Sequence, residues 1–543
     1  MEYTYTHTTT EAGTGYFSCV PDASLSCDDC LLLLEKQPFD TFLHTYLLRA
    51  FLKKSHDELI QYVHAPAFQR GGALASLLYE VAQARGDASD LLSFLDVARA
   101  REMTPLPSIP EDADRAFWNS VIRKNRAWFS PIPPDVSAHA IPKAQEPLRF
   151  SKPESQGMRD ETVPTLYRDA SDALLEAGFI TEREMRHEAS LAPFALLRHW
   201  NLSLQVENGR NAYTLAGQAT AYGRGLSLAQ ARLSCIMEIV ERASSYVSVV
   251  DGTVCDRLNP LPLLSASTQD LAARGLAFLD PDRLPLETAA RKAAYTWVWA
   301  QDPKGKEILV PAQTVFLFAN FDEPELFRSG SSTGLASGTT LAQAKLSALL
   351  ECIERDAEAV VPNARERVFE LTSRDPALKS LLNAYAERSI QVQFQEKTTE
   401  FGIPVYQAFV REPNGCVRQA HACKLSAQAA VLAALTEVSW PCSFVGGSSS
   451  PTGPGFAGCP QVFLEDLPSC AMPAIEGVRL VEERLAAFGY TPLYVDVTRE
   501  DLRIPVVRAL VPGLMLSADC DVYARPPERF KERALAQNKS ASL

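Results

Sequence analysis

Apolar residues follow the helical period in the first part of the chain. Between residues 39 and 129 they recur every three or four positions, as in Leu74, Leu77 and Leu78. This pattern predicts several helices and few strands, and we assign residues 26–130 to a small all-α N-terminal domain. Residues 1–25, which precede it, are predicted to be a disordered tail.

Prolines separate this region from the rest of the chain. Six of them lie between Pro131 and Pro153, and neither the interior of a helix nor a central strand would tolerate that many. We therefore predict an extended linker over residues 131–153.

The remaining residues mix strand and helix patterns. Tyr295–Gln301 alternates in the manner of a strand, a turn follows at 302–306, and Ile308–Pro311 reads as the returning strand. Further strands are predicted at 392–395, 405–410, 416–422, 493–498 and 505–511. One α/β domain over residues 154–543 is the simplest account.

Within this domain a segment of the sequence is repeated. Leu228–Arg242 matches Leu341–Arg355 without a gap, at a constant offset of 113 residues, and nine of the fifteen positions are identical. Both segments have the apolar stripe of an amphipathic helix. We expect two related strand–helix units, since chance does not readily produce such a match.

Each copy carries a pair of glutamates three positions apart: Glu238 and Glu241, then Glu351 and Glu354. Such spacing places both carboxylates on one face of a helix, and in a single copy it would usually mark a solvated face. Retention of the pair in both copies favours a function. If the helices face one another, each pair of carboxylates about 5 Å apart repels by roughly 3 kcal/mol at an effective dielectric of 20. Divalent cations such as Mg²⁺ would relieve that repulsion and bind phosphate oxygens, which predicts a metal–phosphate site.

A glycine-containing turn precedes each repeated helix, at 222–225 and at 334–338. Glycines before a helix allow an anion to approach free backbone N–H groups, but they also serve simply to shape turns. The glutamates lie about 15 Å further along the helix axis, so one helix cannot easily offer both ends to the same phosphate. The sequence leaves the two interpretations open.

Composition narrows the classes of function. The formal net charge is −13, which argues against broad binding to nucleic acid or to anionic membranes. The N-terminus has no secretory pattern, and no apolar stretch is long enough to span a bilayer. The twelve cysteines are too sparse for a disulfide scaffold and are expected to be reduced, so we predict a cytoplasmic protein.

The two repeated helices and the loop between them resemble the YcaO family. That family has a helix ending in Glu-x-x-Glu-Arg, which is Glu238–Arg242 here, and a Ser/Gly/Thr-rich loop, Ser332–Thr340, that leads to a second such helix. The resemblance covers residues 155 to about 520. It implies an α/β fold that binds ATP without a P-loop and activates a peptide backbone amide through O-phosphorylation of the oxyanion.

The resemblance also implies roles for individual residues. Glutamates of the two helices would bind Mg²⁺, and further residues would contact the nucleotide. The metal-binding set is Glu238, Glu241, Glu351 and Glu354; the nucleotide-binding set adds Arg159, Thr165, Arg242, Gln343, Arg355 and Glu437.

Three departures from the family pattern qualify the prediction. Gln343 stands where a glutamate is common, Trp440 and Cys442 follow Glu437 where Gln and Arg are usual, and a proline-rich tail is missing. We therefore predict modification of a peptide or protein, of thioamide type rather than azoline type. The alternative is a non-catalytic YcaO-fold protein that binds or recruits, for example in ribosomal-protein thiolation. A partner protein that supplies the nucleophile or recognises a leader, and a homodimer, are left open.

Overall fold

The structure is a computed structural model of the 543-residue chain. It describes residues 1–9, 15–21, 25–38, 40–64, 72–85, 162–188, 190–209, 211–285, 293–317, 321, 323, 326, 331–361, 363, 367–411, 417–438, 458–515 and 527–533. The predicted linker at 131–153 lies outside these residues, as does Arg159.

The described helices and strands are numbered in chain order. The helices are α1 (Cys27–Lys36), α2 (Thr41–Leu52), α3 (His56–Val63), α4 (Ala73–Ala84), α5 (Thr162–Glu176), α6 (Leu228–Ser245), α7 (Thr268–Ala273), α8 (Leu341–Val360), α9 (Pro376–Glu387), α10 (Ala427–Glu437) and α11 (Ala474–Ala486). The strands are β1 (Glu2–Thr9), β2 (Gly15–Pro21), β3 (Met185–Arg186), β4 (Phe194–Asn208), β5 (Asn211–Gly225), β6 (Val249–Val250), β7 (Thr253–Val254), β8 (Leu261–Pro262), β9 (Leu264–Ala266), β10 (Tyr295–Gln301), β11 (Glu307–Pro311), β12 (Leu335–Ser337), β13 (Val368–Thr372), β14 (Gln391–Glu396), β15 (Val405–Arg411), β16 (Val417–Cys423), β17 (Gln461–Phe463), β18 (Leu493–Asp496) and β19 (Val506–Leu510).

The described strands form three sheets. The first has the order β2-β1-β5-β4-β6-β7-β8, with β3 beside β4. The second has the order β11-β10-β18-β19-β12, with β9 beside β10, and the third has the order β16-β15-β14-β13-β17. Helices pack against these sheets, so the molecule has the predicted α/β class. In the part of the chain that the structure describes, no helix combines the length and the apolar character needed to cross a bilayer.

A long antiparallel hairpin, β4–β5, forms the centre of the first sheet. Along β4 the side chains alternate, and Trp200, Leu202 and Leu204 point into the core while their neighbours are more exposed. This is the period of a strand that is buried on one face. Gly209, in the connection, has a φ of 60°, a conformation that glycine adopts without steric cost.

The N-terminal residues correct one prediction. The described part of the segment 1–25 is not a disordered tail, because β1 and β2 pair with each other and β1 continues the first sheet beside β5. Tyr3 and Tyr5 are buried at alternating positions, and the Tyr3 hydroxyl bonds Asp40 at 2.5 Å. Helix α2 packs against β2. Because helix α2 lies directly on the first sheet, the limits of a separate N-terminal domain stay a prediction.

The strands predicted from alternation are present. The hairpin Tyr295–Pro311 forms as β10 and β11, and the remaining segments form β14, β15, β16, β18 and β19. The repeated segments are both helical. We call α6, Leu228–Ser245, the first motif helix, and α8, Leu341–Val360, the second motif helix.

Each motif helix lies tightly against the strand that precedes it. A Cβ atom at Gly223 would lie 2.1 Å from the carbonyl oxygen of Ala231 in the first motif helix, and one at Gly338 would lie 2.4 Å from the backbone nitrogen of Ala344 in the second. A Cβ atom at Gly334 would lie 2.2 Å from the carbonyl oxygen of Ala509 on β19. Gly334 also has a φ of 80°. These glycines are needed where backbones approach each other closely, which supports the interpretation that the glycine-containing turns shape the packing.

The second motif helix links two of the sheets. It packs against β19 and β12 of the second sheet, and against β16 of the third sheet. Its buried face, which includes Leu349, Ile353 and Ala357, belongs to a core cluster shared with residues of β19 and α11. Its glutamates are therefore held on a well-anchored element.

Candidate functional site

The two motif helices bring their glutamates into one partly buried cleft. Side-chain exposure is 27% for Glu238, 18% for Glu241, 25% for Glu351 and 14% for Glu354. The two helices also make contact through the strand between them, since the Ser337 hydroxyl donates to the carbonyl of Met237 at 3.0 Å. The carboxylates are thus surrounded by protein and still reachable by a small ion.

Backbone N–H groups fix one oxygen of three of these carboxylates. Glu238 accepts a hydrogen bond from the N–H of Tyr222 at 2.9 Å. Glu351 accepts one from Gly334 at 3.1 Å, and Glu354 accepts one from Cys423 at 2.9 Å. Because these donors belong to strands and turns beside the helices, the carboxylate positions are set by the fold.

The arginine of each motif lies across its own pair of glutamates. Arg242 is 3.5 Å from Glu238 and 3.2 Å from Glu241. Arg355 is 3.9 Å from Glu351 and 3.6 Å from Glu354. In both cases the surrounding acids raise the pKa of the arginine, so each guanidinium stays charged and balances part of the negative charge.

Burial and mutual repulsion act together on the carboxyl groups. Burial, with the charges of Glu351 and Glu238, raises the pKa of Glu241 to about 8. Burial, with the charge of Glu351, raises the pKa of Glu354 to about 7. Burial also raises the pKa of Glu351. The charge of Glu351 on the second motif helix therefore acts on Glu241 of the first.

An arginine that the sequence analysis did not single out lies beneath this cleft. Arg508 is on β19, opposite Leu335 of β12, and is 2% exposed. Its charge acts on Glu241 and Glu351, and burial lowers its pKa to about 10. Its Nε and one terminal nitrogen have no hydrogen-bond partner within the described residues. A charged residue at the centre of the apolar run Val506–Leu510 was the available signal.

The cleft has the donor chemistry of a magnesium site. Carboxylate oxygens are the ligands that Mg²⁺ prefers, and a divalent cation would relieve the repulsion that raises these pKa values. Among the described residues no three potential ligands are gathered in a ready-made metal cluster. Arg242 and Arg355 lie against carboxylate oxygens of the same four glutamates.

Two of the other predicted nucleotide-binding residues, Gln343 and Glu437, have structural partners. Gln343 accepts hydrogen bonds from Thr339 at the start of the second motif helix, and its N–H donates to the Thr340 hydroxyl at 3.1 Å. Glu437 forms an ion pair with Arg224 at 2.7 Å. Thr165 is exposed on α5, which packs against the first motif helix.

Comparisons with known proteins agree with the motifs. Residues 222–440 match the profile of a family described as YcaO cyclodehydratase, ATP- and Mg²⁺-binding. An uncharacterized protein of Methanothermobacter thermautotrophicus is 27% identical over 353 residues, which cover 57% of this chain and 84% of that protein.

One solved structure shares the fold of this chain, and a second resembles it more distantly. A heterocyclase, solved in complex with substrate and cofactor, superposes with a TM-score of 0.52 at 18% identity, over 68% of this chain and 54% of its own. This chain thus spans about half of that heterocyclase. YcaO from Methanopyrus kandleri, solved with AMPPCP and Mg²⁺, gives a TM-score of 0.46 at 20% identity, over 65% of this chain and 91% of its own. Residues 222–440 of this chain thus match the YcaO family, whose profile is described as ATP- and Mg²⁺-binding.

Proposed function

We propose that this protein binds Mg-ATP in the cleft between the motif helices and activates a backbone amide of a peptide or protein for post-translational modification. One observation carries the proposal: Glu241 and Glu351, from separate copies of one motif, lie close enough for the charge of Glu351 to raise the pKa of Glu241. Holding two carboxylates this close together costs free energy, which a purely structural role does not explain. The same arrangement favours binding of a cation.

Four glutamates would hold the metal, namely Glu238, Glu241, Glu351 and Glu354. Bound Mg-ATP would supply the phosphoryl group that turns the amide oxygen into a leaving group. Catalysis of this kind depends on positioning and on charge stabilisation. The backbone N–H groups of Tyr222, Gly334 and Cys423 keep three of the carboxylates oriented.

The arginines of the motifs would contribute in a different way. When a cation replaces them at the carboxylates, Arg242 and Arg355 become free to bind phosphate oxygens. Arg355 is the better placed of the two, since its side chain is 37% exposed whereas that of Arg242 is 24% exposed. Guanidinium groups suit this role because they bind phosphate with two parallel hydrogen bonds.

Nucleotide binding can be tested by calorimetric titration of the full chain with ATP, with and without Mg²⁺. We expect saturable binding that needs Mg²⁺ and is weakened at least tenfold in Glu351→Gln. Glu483→Gln serves as the matched control, because the Glu483 side chain is 68% exposed on α11. Equal affinity of Glu351→Gln and the wild type would show that the site assignment is wrong.

The type of product can be tested by mass spectrometry of a candidate peptide incubated with enzyme, Mg-ATP and sulfide. We propose a thioamide, which replaces one oxygen atom by sulfur. An azoline would instead show loss of one water molecule and would need no sulfide. ATP consumption without either change would leave the activation step standing but not the product.

A second candidate function is a YcaO-fold protein that binds or recruits without catalysis. Two contacts favour it, since Gln343 is used to cap a helix and Glu437 is paired with Arg224. These contacts occupy both side chains, so neither is free to bind a nucleotide. Absence of saturable Mg-ATP binding in the wild type would leave only this candidate.

A further inference from the structure

Two buried arginines lie near the second motif helix, and they differ in their partners. Arg529 is 8% exposed, and its guanidinium bonds the carboxylates of Asp356 and Glu400. Arg508 is 2% exposed, and its Nε and Nη1 have no hydrogen-bond partner among the described residues. Burial of a guanidinium costs free energy unless acids or acceptors compensate for it. Arg529 is thus part of a structural network, whereas Arg508 is buried without one.

Strand β19 fixes the position of Arg508 beneath the carboxylate cleft. The strand contacts both motif helices, and alternate residues along it pack in the core of the first helix and in that of the second. Arg508 lies at its middle, in register with Leu335 of β12 on one side and with Val495 of β18 on the other. Because both neighbouring strands are paired with it, the fold holds this residue in place.

Arg508 carries a positive charge that acts on the cleft. Burial lowers its pKa only to about 10, so the guanidinium keeps its proton at neutral pH. Its charge favours the ionised forms of Glu241 and Glu351, which come from different motif helices. A charge inside a protein is poorly screened by water and salt, so it acts without contact. Arg508 therefore influences a ligand in the cleft although its own side chain is enclosed.

The charges of the cleft nearly cancel. When ionised, the four motif glutamates contribute four negative charges, and Arg242, Arg355 and Arg508 contribute three positive charges. A lone divalent cation would turn the remaining charge of −1 into +1, and a net charge in a partly buried cleft costs free energy. A cation that arrives with a polyphosphate brings compensating negative charge with it.

The arrangement of the carboxylates agrees with this charge balance. In the part of the chain that the structure describes, no three potential ligands are gathered into a cluster for a metal ion. Proteins usually hold Mg²⁺ through one or two carboxylates together with phosphate oxygens, and not in a cage made of protein alone. The cleft therefore suits a metal ion whose remaining ligands come from a nucleotide.

We propose that Arg508 determines which ligand the cleft accepts, namely a divalent cation together with a polyphosphate and not the cation alone. The inference rests on the function proposed above, because it concerns the same cleft. Arg508 acts through its charge and touches neither the cation nor the phosphates. It repels a free cation, and it attracts the metal–nucleotide complex, whose net charge is negative.

The wild type provides the first test, with Mn²⁺ in place of Mg²⁺ because both take oxygen ligands. The full chain is titrated with Mn²⁺ alone at pH 7.5, and the unbound ion is measured by electron paramagnetic resonance. Binding of Mn-ATP is measured by calorimetric titration. We expect Mn²⁺ alone to bind at least tenfold more weakly than Mn-ATP. Equal affinities for the two ligands would overturn the proposal.

Removal of the charge provides the second test. Arg508→Met should bind Mn²⁺ alone at least tenfold more tightly than the wild type, without such a gain for Mn-ATP. The preference for the complex then falls by about 1.4 kcal/mol. Arg508→Lys keeps the charge and should keep the preference. Arg479→Met is the matched control, because it removes the same charge from a side chain that is 75% exposed on α11, and it should bind both ligands as the wild type does.

Urea unfolding shows whether each variant is folded. Should Arg508→Met fail to fold, Arg508→Gln takes its place, because it removes the charge and keeps an N–H donor for buried water. A purely structural role of Arg508 predicts that the affinities for Mn²⁺ and for Mn-ATP fall together. That result, or an unchanged preference in a folded variant, would overturn the proposal and leave buried water as the partner of the Arg508 nitrogens.

This inference and the proposed function fail in different ways. If the wild type bound neither ligand and Arg508→Met gained Mn²⁺, the nucleotide site would be wrong and the role of Arg508 would stand. If the wild type bound Mn-ATP and the folded variants kept the same preference, the nucleotide site would stand and the role of Arg508 would be wrong. Absence of binding in the wild type and in every variant would overturn both.

Discussion

The two motif helices carry the same Glu-x-x-Glu-Arg sequence, but the residues that pack against them differ. After Arg242 the first helix continues with Ala243, which is 2% exposed and packed in an apolar core. The equivalent residue of the second helix is Asp356, which is fully buried and accepts hydrogen bonds from Met515 at 3.2 Å and from Arg529 at 2.9 Å. Arg529 in turn bonds Glu400.

The charge around each arginine differs as well. Arg242 faces two glutamates, whereas Arg355 faces three, because Glu358 lies 3.1 Å from it. The second copy is thus tied to a buried ionic network and, through Glu358 and His421, to the third sheet, while the first copy rests on apolar packing. The comparison teaches that a repeated motif preserves the carboxylates and leaves their support free to diverge.

The largest effect on stability is expected when the buried acid after the second motif is replaced by the apolar residue that follows the first. Asp356→Ala, which gives the second copy the residue of the first, leaves the buried guanidinium of Arg529 with Glu400 alone. Removing one partner from a buried ionic network typically costs about 3–5 kcal/mol, and urea unfolding of the full chain measures it. Asp356→Ala combined with Arg529→Met should recover part of the loss. A loss below about 1 kcal/mol in the single variant would show that the network contributes little.

The next effect concerns the equivalent carboxyl groups Glu241 and Glu354. Their pKa values are raised from 4.5 to about 8 and about 7, so the folded protein keeps protons that the unfolded chain has lost. The free energy of unfolding should therefore fall as the pH rises from 4.5 towards 8. Glu241→Gln cannot ionise, and it should exceed the wild type in stability at pH 8.5 by about 2–4 kcal/mol, with little difference at pH 4.5.

Urea unfolding between pH 4.5 and pH 9 tests this difference between the copies. Glu354→Gln should show a smaller gain that develops around pH 7, and the exposed Glu483→Gln should show none. If the free energy of unfolding of Glu241→Gln differed from that of the wild type by the same amount at every pH, Glu241 would be ionised throughout this range. Its charge would then not destabilise the folded protein.

Local signals in the sequence were sufficient for much of the fold and for the two helices that carry the candidate glutamates. The repeat predicted both motif helices, and alternation predicted β10 and β11 with β14, β15 and β16 of the third sheet, because each of these patterns is complete within a few neighbouring residues. Strands β13 and β17 of that sheet were not predicted. The glutamates followed from the repeat, which placed the same spacing on two elements.

What the sequence did not predict depends on pairing between distant residues. Strand β1 is stabilised by β5, more than 200 residues away, so nothing near Tyr3 distinguishes a strand from a polar tail. Arg508 reads as one polar residue in an apolar strand until β19 is placed beneath both motif helices. Gln343 was predicted to bind nucleotide from its position in the motif, and its contact with Thr339 appears only in the folded turn.

The smallest effect on stability is expected at the N-terminal caps, where the two motif helices are alike. Ser227 caps the first motif helix by accepting from the N–H of Gln230 at 3.3 Å, and Thr340 caps the second by accepting from Gln343 at 3.1 Å. Ser227→Ala and Thr340→Ala should each cost about 1 kcal/mol in urea unfolding, because each leaves one N–H of the first turn unpaired. Nearly equal losses would show that the N-terminal caps of the two motif helices, unlike their C-terminal halves, contribute equally to stability. A loss for Thr340→Ala several times that for Ser227→Ala would mean that the second cap supports the site as well as the helix.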